Sequence, residues 1–393
     1  MTATPAPVRF RAVTREVEPG RDVLTTFDAD GFAWVHDRTR IAASGIVARV
    51  APRDVATALG AIDVDDPIGV VGSGPIAVGG LPFDGRDGLG ALVIPARVTV
   101  DAGERAWVTD IEAVPVAAVA GPEPPSRFSV VSAQSRDEWR DMVTRALTGI
   151  GDGQLEKVVL AREVVVEADS PFSPREIVTR LISQQPGCFV YATEGFVGAS
   201  PELLVRRRGR DVESRPVAGT AIADGDDASL RALASSVKDR REHRFVVDAI
   251  VDALDDECEE LHVGSEPDVA VFGHVAHLAT RVWGRLRDPA PSALELALLL
   301  SPTPAVGGTP RNAALDTIRA LEGFDRGRYA GPVGWVDARG NGEWAIALRG
   351  AELDGRRARL VAGAGIVEGS DPDAEWAETQ AKFEPMLRAL VRP

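Results

Sequence analysis

Two stretches of this 393-residue chain place acidic and basic side chains at spacings that can do chemistry. In DAEWAETQAKF (373–383), Glu375, Glu378 and Lys382 fall at i, i+3 and i+7, so on a helix they share one face. Trp376, Thr379, Phe383 and Leu387 mark the core-facing stripe of the same helix. In VKDRREHRFVVD (237–248), Asp239 and Glu242 lie three apart, with Lys238 and His243 beside them. Two helices that each offer carboxylates can converge on a hard cation. Mg²⁺ takes one or two protein carboxylates, keeps waters and shares an anionic ligand. A solvated helix face with a Glu–Lys pair has the same pattern. Zinc fits less well, because His274 and His277 have no third ligand nearby in a strand-like run.

Lysine usage sharpens this reading. Of 44 basic residues only Lys157, Lys238 and Lys382 are lysine. Arginine stays protonated and presents a wide fork, whereas lysine is a compact ammonium that burial can push toward its neutral form. A lysine retained in such a chain is a candidate base or carboxylate clamp. Other motifs lead nowhere. GAGIVEG (363–369) is not a dinucleotide fingerprint, and GASPE (198–202) lacks the glycine a nucleophile elbow needs. The glycines of PVAGT (216–220) and GAGIV (363–367) read either as ordinary turns or as places where backbone N–H groups approach a carboxylate.

The elements that must position these residues are strands in hairpins interleaved with helices. Residues 1–120 read as short strands with Gly/Pro turns, and GPEPPSR (121–127) as a connector. A helix is expected over 136–150, a strand over 157–167, a helix opening at Ser173-Pro174, and strands over 188–194 and 198–208. One long polar helix is expected over 228–256, and another with Thr309 as N-cap, Pro310 at its first position and an end at Gly323. WAIALRGAEL (344–353) and RLVAGAGIV (359–367) read as strands, and 373–390 as the final helix. The pattern favours an α+β fold.

A hydrophobic fraction of 45% supports an ordinary core, and a net charge of −15 argues against nucleic acid or an anionic membrane as partner. Cys188 and Cys258 form no disulfide framework. The start, MTATPAPVRF, lacks a leader pattern, and the apolar run 293–300 is too short to span a bilayer, so a cytoplasmic protein is expected.

The motifs together resemble the chorismate-utilising enzymes, which include isochorismate, salicylate, anthranilate and aminodeoxychorismate synthases. The resemblance rests on KVVLAR (157–162), GASPELL (198–204), RPVAGT (215–220), EHRFVVD (242–248), HLATRVWGRL (277–286) and PTPAVGGTPRNAAL (302–315). It continues through RGRYAGPVGW (326–335), EWAIALRGAE (343–352) and AGAGIVEGSDPDAEWAETQAKF (362–383), in the family's order. GGLPFDG (79–85), PTPAVGGTP and HLAT look like the isochorismate synthase branch.

The resemblance implies large, mostly antiparallel β-sheets packed together and flanked by helices. Residues 1–125 would form a strand-rich N-terminal part and 126–393 the catalytic region of one integrated unit. It implies Lys157 as the base that activates water for attack at chorismate C2, and Glu202 as the acid that protonates the departing C4 hydroxyl. Glu242 and Glu378 match the Mg²⁺ ligands, with Asp239 and Glu375 acting through water. Tyr329, Arg349, Lys382 and the backbone at Gly363 and Gly365 match groups that hold the substrate carboxylates, and Gly219, Thr220, His277 and Thr303 line the same pocket. The product would feed siderophore or menaquinone biosynthesis. A salicylate synthase, or a chorismate-binding protein without turnover, are the alternatives. A monomer with no glutaminase subunit is expected. One departure is Ser301, where many relatives have histidine.

Overall fold

A computed structural model describes residues 10–20, 22–27, 31–85, 88–111, 125–223 and 227–391. The start of the chain and most of the 121–127 connector lie outside these residues. Among the described residues, twenty strands join in one hydrogen-bonded network and three more form a small second sheet. Every ladder is antiparallel except that between Arg11–Val17 and Asp63–Asp65. Helices flank these sheets, in keeping with the α+β expectation. Among the described residues no helix is long and apolar enough to cross a membrane.

Early and late strands share ladders. Phe32–His36 pairs with Phe189–Thr193, and Ile76–Gly80 pairs with Pro332–Asp337. The longest late ladder joins Lys157–Ala168 to Arg357–Val367, from Arg357↔Glu167 to Val367↔Lys157. Both strands are rich in β-branched or small residues and nearly continuous in burial, as suits strands covered on both faces. The small sheet runs Val217–Ile222, Val275–Ala279, Asp268–Phe272.

Four local expectations need correction. The run 198–208 is not one strand: Phe196–Ser200 and Leu203–Arg208 flank Pro201 and Glu202, which lie between them. Thr309 is not a helix cap: its backbone pairs with Lys157 in a two-residue strand, Pro310 occupies the N-cap, and the helix runs Arg311–Glu322. Its end does match, with Gly323 left-handed at φ 71°. The long polar helix is two helices, Asp227–Ser235 and Val237–Asp255, because extended Ser236 turns its hydroxyl to cap the Asp239 N–H. WAIALRGAEL is likewise two strands, Gly342–Ile346 and Gly350–Asp354, interrupted by Arg349 at φ 49°. A non-glycine residue in that region is strained and points to a tertiary requirement.

The C-terminal helix Pro372–Val391 lies on the Arg357–Val367 strand and is clasped by the helix Arg136–Gly151. A Ser135/Glu138 capping box starts that second helix. Trp139 is fully buried, meets the Trp376 ring edge-on at 6.3 Å and donates its indole N–H to the Pro372 carbonyl at 3.0 Å. Trp139→Ala is expected to cost about 3–5 kcal/mol in urea unfolding, through the cavity and the lost indole hydrogen bond.

Candidate active site

The cleft is built on the ladder between the Lys157 and Gly365 strands. Residues directly opposite in an antiparallel pair share a face, so Lys157 lies with Val367, Val159 with Gly365 and Ala161 with Gly363. The two glycines open the space that the other side chains enter. A Cβ on Gly365 would meet Glu242 Oε1 at 2.2 Å and Lys157 Cε at 3.3 Å. The Val237–Asp255 helix carries Glu242 to this position.

Lys157 is fully buried, and its Nζ lies 3.0 Å from Glu242 Oε1 as an ion pair without a well-aligned hydrogen bond. Burial pushes the Glu242 carboxyl up, but the Lys157 ammonium, with Lys382 and Lys238 behind it, holds it below 4.5. Lys382 Nζ donates to Glu378 Oε1 at 2.7 Å and to the Gly363 carbonyl at 2.9 Å. Lys238 Nζ donates to Glu375 Oε1 at 2.9 Å. Each of the three lysines therefore holds one of the three glutamates, which ties Lys238 to the site more firmly than its position beside Asp239 and Glu242 suggested.

The remaining walls come from separate elements. Glu202, 1% exposed, follows the strand Phe196–Ser200 and accepts from the Val217 N–H at 3.4 Å. Burial raises its carboxyl to about 8, partly opposed by that N–H and by Lys157 and Lys382. His277 accepts or donates at both ring nitrogens. The only assignment satisfying both is an Nδ1–H donating to the Gly219 carbonyl at 2.9 Å and an Nε2 accepting from Arg349 Nη2 at 2.7 Å. Burial first, then the Arg349 and Lys382 charges, hold this ring well below its ordinary 6.5. Arg349 Nη1 and Thr303 Oγ1 are buried with no partner. Unpaired buried donors of this kind suit a ligand's carboxylate.

Glu202, Gly219, Thr220, Glu242, His277, Tyr329, Arg349, Gly363, Gly365 and Lys382 all line one cleft. Lys157 lies behind Glu242. Thr303 is buried in the loop whose Ala305 and Val306 form a wall. Glu378, Glu375 and Asp239 stand behind the lining, reached through Lys382, Lys238 and Glu242. Ser301 is not among the lining residues: it ends the helix Ala293–Leu300 and accepts from Arg311. Pattern reading did not single out the apolar walls Val159, Val217, Val306 and Leu348, because nothing local distinguishes them from other core residues.

Among the described residues, no three carboxylate, imidazole or thiolate groups stand together as a ready-made cation cage. The donors nonetheless suit a hard cation that needs only one or two carboxylates. After burial, the Glu242 charge raises the Asp239 carboxyl and the Glu378 charge raises that of Glu375, so acidic oxygens crowd one end of the cleft.

Residues 93–391 match the family described as chorismate binding enzyme. The chain belongs to this family. This chorismate-binding enzyme is 43% identical over 337 residues to a Mycobacterium tuberculosis protein provisionally named isochorismate synthase MenF, covering 81% of this chain and 87% of that one. It is 36% identical to the isochorismate synthase DhbC of Bacillus subtilis, covering 81% of each. It superposes on the menaquinone-specific isochorismate synthase MenF of Escherichia coli with a TM-score of 0.82 and 26% identity, covering 98% and 95% of the two chains. The enzyme thus falls in the isochorismate synthase branch, with the sheet-and-helix fold of that branch.

The His277 environment generates a stability test. Its unfolded ring takes a proton below about 6.5 while the folded ring resists it, so stability is full above 6.5 and falls as pH drops below it. His277→Gln is expected to flatten the slope of unfolding free energy between pH 6.5 and 5 by up to about 1.4 kcal/mol per pH unit, measured by urea titration.

Proposed function

We propose that this enzyme is a Mg²⁺-dependent isochorismate synthase, moving a hydroxyl from C4 to C2 of chorismate for siderophore or menaquinone biosynthesis. The observation that carries this reading is a carboxyl raised to about 8 (Glu202) in the wall of the cleft and a buried lysine (Lys157) held directly behind Glu242, a lining residue from another element. The transfer needs an acid and a base that act on different ring carbons. At neutral pH Glu202 holds the proton that the departing C4 hydroxyl requires. Lys157, once Glu242 has turned from it and its ammonium has given a proton to solvent, takes the proton of the water attacking C2 as a neutral amine.

Arg349, fixed by His277, offers its free Nη1 to a substrate carboxylate, and Thr303 offers its hydroxyl. Tyr329, Lys382 and the backbone at Gly363 and Gly365 complete the carboxylate cradle, and Gly219 and Thr220 close one side. Glu242 and Glu378 would hold Mg²⁺, with Asp239 and Glu375 through water, supplying a charge that anchors the ring carboxylate and draws electron density from the ring. The apolar walls limit stray water at the reacting carbons.

Incubation of the protein with chorismate and Mg²⁺ is expected to yield isochorismate, with EDTA abolishing turnover. Salicylate and pyruvate formed without a second enzyme would instead make it a salicylate synthase. Lys157→Ala should lower kcat by about 10²–10⁴-fold, and unchanged activity there would overturn the mechanism. The acid must be protonated, so kcat/KM is expected to fall as pH rises through about 8. In Glu202→Gln the residual rate should be lower by about 10²-fold or more and should lack that limb.

A further inference from the structure

We propose that the buried pair Glu322–Arg326 is a positioning device for this cleft: it completes the open edge of the Lys157 strand and locks that strand to the Thr303 loop. One edge of Lys157–Ala168 is fully paired with Arg357–Val367. The other edge pairs with Gly308–Thr309 at residues 157–158 and Phe128–Ser132 at residues 164–168, and each ladder reaches one step further: the Val159 N–H donates to the Gly307 carbonyl, and Glu163 accepts from the Ala133 N–H and donates its own N–H to Gln134 Oε1. No strand covers 159–163 on that side among the described residues.

The Glu322–Arg326 side chains meet the Val159 carbonyl and the Ala161 N–H in between. The Ala161 N–H donates to Glu322 Oε1 at 2.8 Å. Arg326 Nη2 donates to the Val159 carbonyl at 2.8 Å, and Nη1 to the Val306 carbonyl at 2.7 Å. Arg326 Nε returns to Glu322 Oε2 at 2.9 Å, closing the unit. The guanidinium lies 4.4 Å from the Phe83 ring centroid and 5.8 Å from that of Tyr329. Val159, Val306 and Tyr329 are all cleft residues, and Val159 is two positions from Lys157 on the same strand face.

Stability alone does not account for this arrangement. Glu322 is 4% exposed and Arg326 3% exposed. Apolar residues of similar volume often replace a buried ion pair at no loss of stability. Apolar side chains cannot hold three backbone groups of two separate walls at fixed distances. A shift of about 1 Å at a reacting group costs on the order of 10²-fold in rate, so this geometry bears on turnover. Neither residue touches the cleft, so the pair acts through Lys157, Thr303 and Tyr329.

The kinetic arm of the test rests on the isochorismate synthase reading; the exchange arm does not. Arg326→Lys keeps the charge but cannot span both carbonyls and Glu322, and Glu322→Gln keeps the acceptor but weakens the pair. Both variants are expected to fold, to bind chorismate in EDTA within about threefold of wild type, and to lose kcat by about tenfold or more. Amide exchange at Val159, whose N–H donates to the Gly307 carbonyl, and at Ala161 should quicken about tenfold, with Val108, on the N-terminal strand Ala106–Ile111 that has no ladder to the Lys157 strand, unchanged. Unchanged kcat in the folded variants, a loss confined to chorismate affinity, or exchange rising evenly along the chain would each overturn the inference. If the wild-type protein does not turn over chorismate, the functional reading fails, and local exchange at Val159 and Ala161 alone decides for or against the device.

Discussion

The ladder between Lys157–Ala168 and Arg357–Val367 is the constraint on which the site depends. Its register sets Lys157 beside Val367 and places glycines at the next two same-face positions of the partner strand. A one-residue slip would either turn Lys157 to the other face or, with Lys157 kept, put Ala364 and Ile366 where the cleft needs open space. The Glu242 carboxylate takes its place beside Lys157 because Gly365 has no side chain. The same strand carries the C-terminal helix with Glu378 and Lys382, so the proposed base, metal ligands and carboxylate cradle share one rigid reference.

Electrostatics explains why cations persist there in a chain of net charge −15. Three glutamates crowd one end of a buried cleft, and three lysines balance them in pairs. Unpaired, any of those carboxylates would be costly to bury. In the proposed reaction the balance is exchangeable: Mg²⁺ would take carboxylates, and the anionic substrate would take ammonium and guanidinium groups. Glu202 stands apart from that cluster in an apolar niche, which is why its proton is retained while Glu242 stays ionised.

Of the four left-handed non-glycine residues among those described, two (Asp37 and Glu194) sit in hairpin turns and two border the cleft. Arg349 (φ 49°) and Ala330 (φ 66°), next to Tyr329, adopt left-handed backbone that their types disfavour. Each aims or borders a side chain of the cleft, and the surrounding ladders over-determine both turns. Local propensity read WAIALRGAEL as one strand for this reason: it could not register a turn imposed from outside. The split at Ser236 and the strand pairing of Thr309 have similar origins, a local hydroxyl cap in one case and a distant strand edge in the other.

Much of the site was legible because its residues sit in short ordered blocks. The i, i+3, i+7 spacing of Glu375, Glu378 and Lys382, the acidic pair at 239 and 242, and the scarcity of lysine all survive as local patterns. Helix and strand identity over most of 136–208 and 357–391 followed from periodicity and capping residues, which act within a few positions. What no local pattern carried is who meets whom. That Lys238 pairs with Glu375 across 137 positions, that Glu322 and Arg326 complete an edge of the Lys157 strand, and that Val159 and Val306 are cleft walls are long-range facts. They depend on ladder register and helix docking, where contacts between distant segments outweigh the preference of any one of them. The chain's own pattern determined which chemistry was present, and the packed sheets decided where each charge stands and which partner holds it.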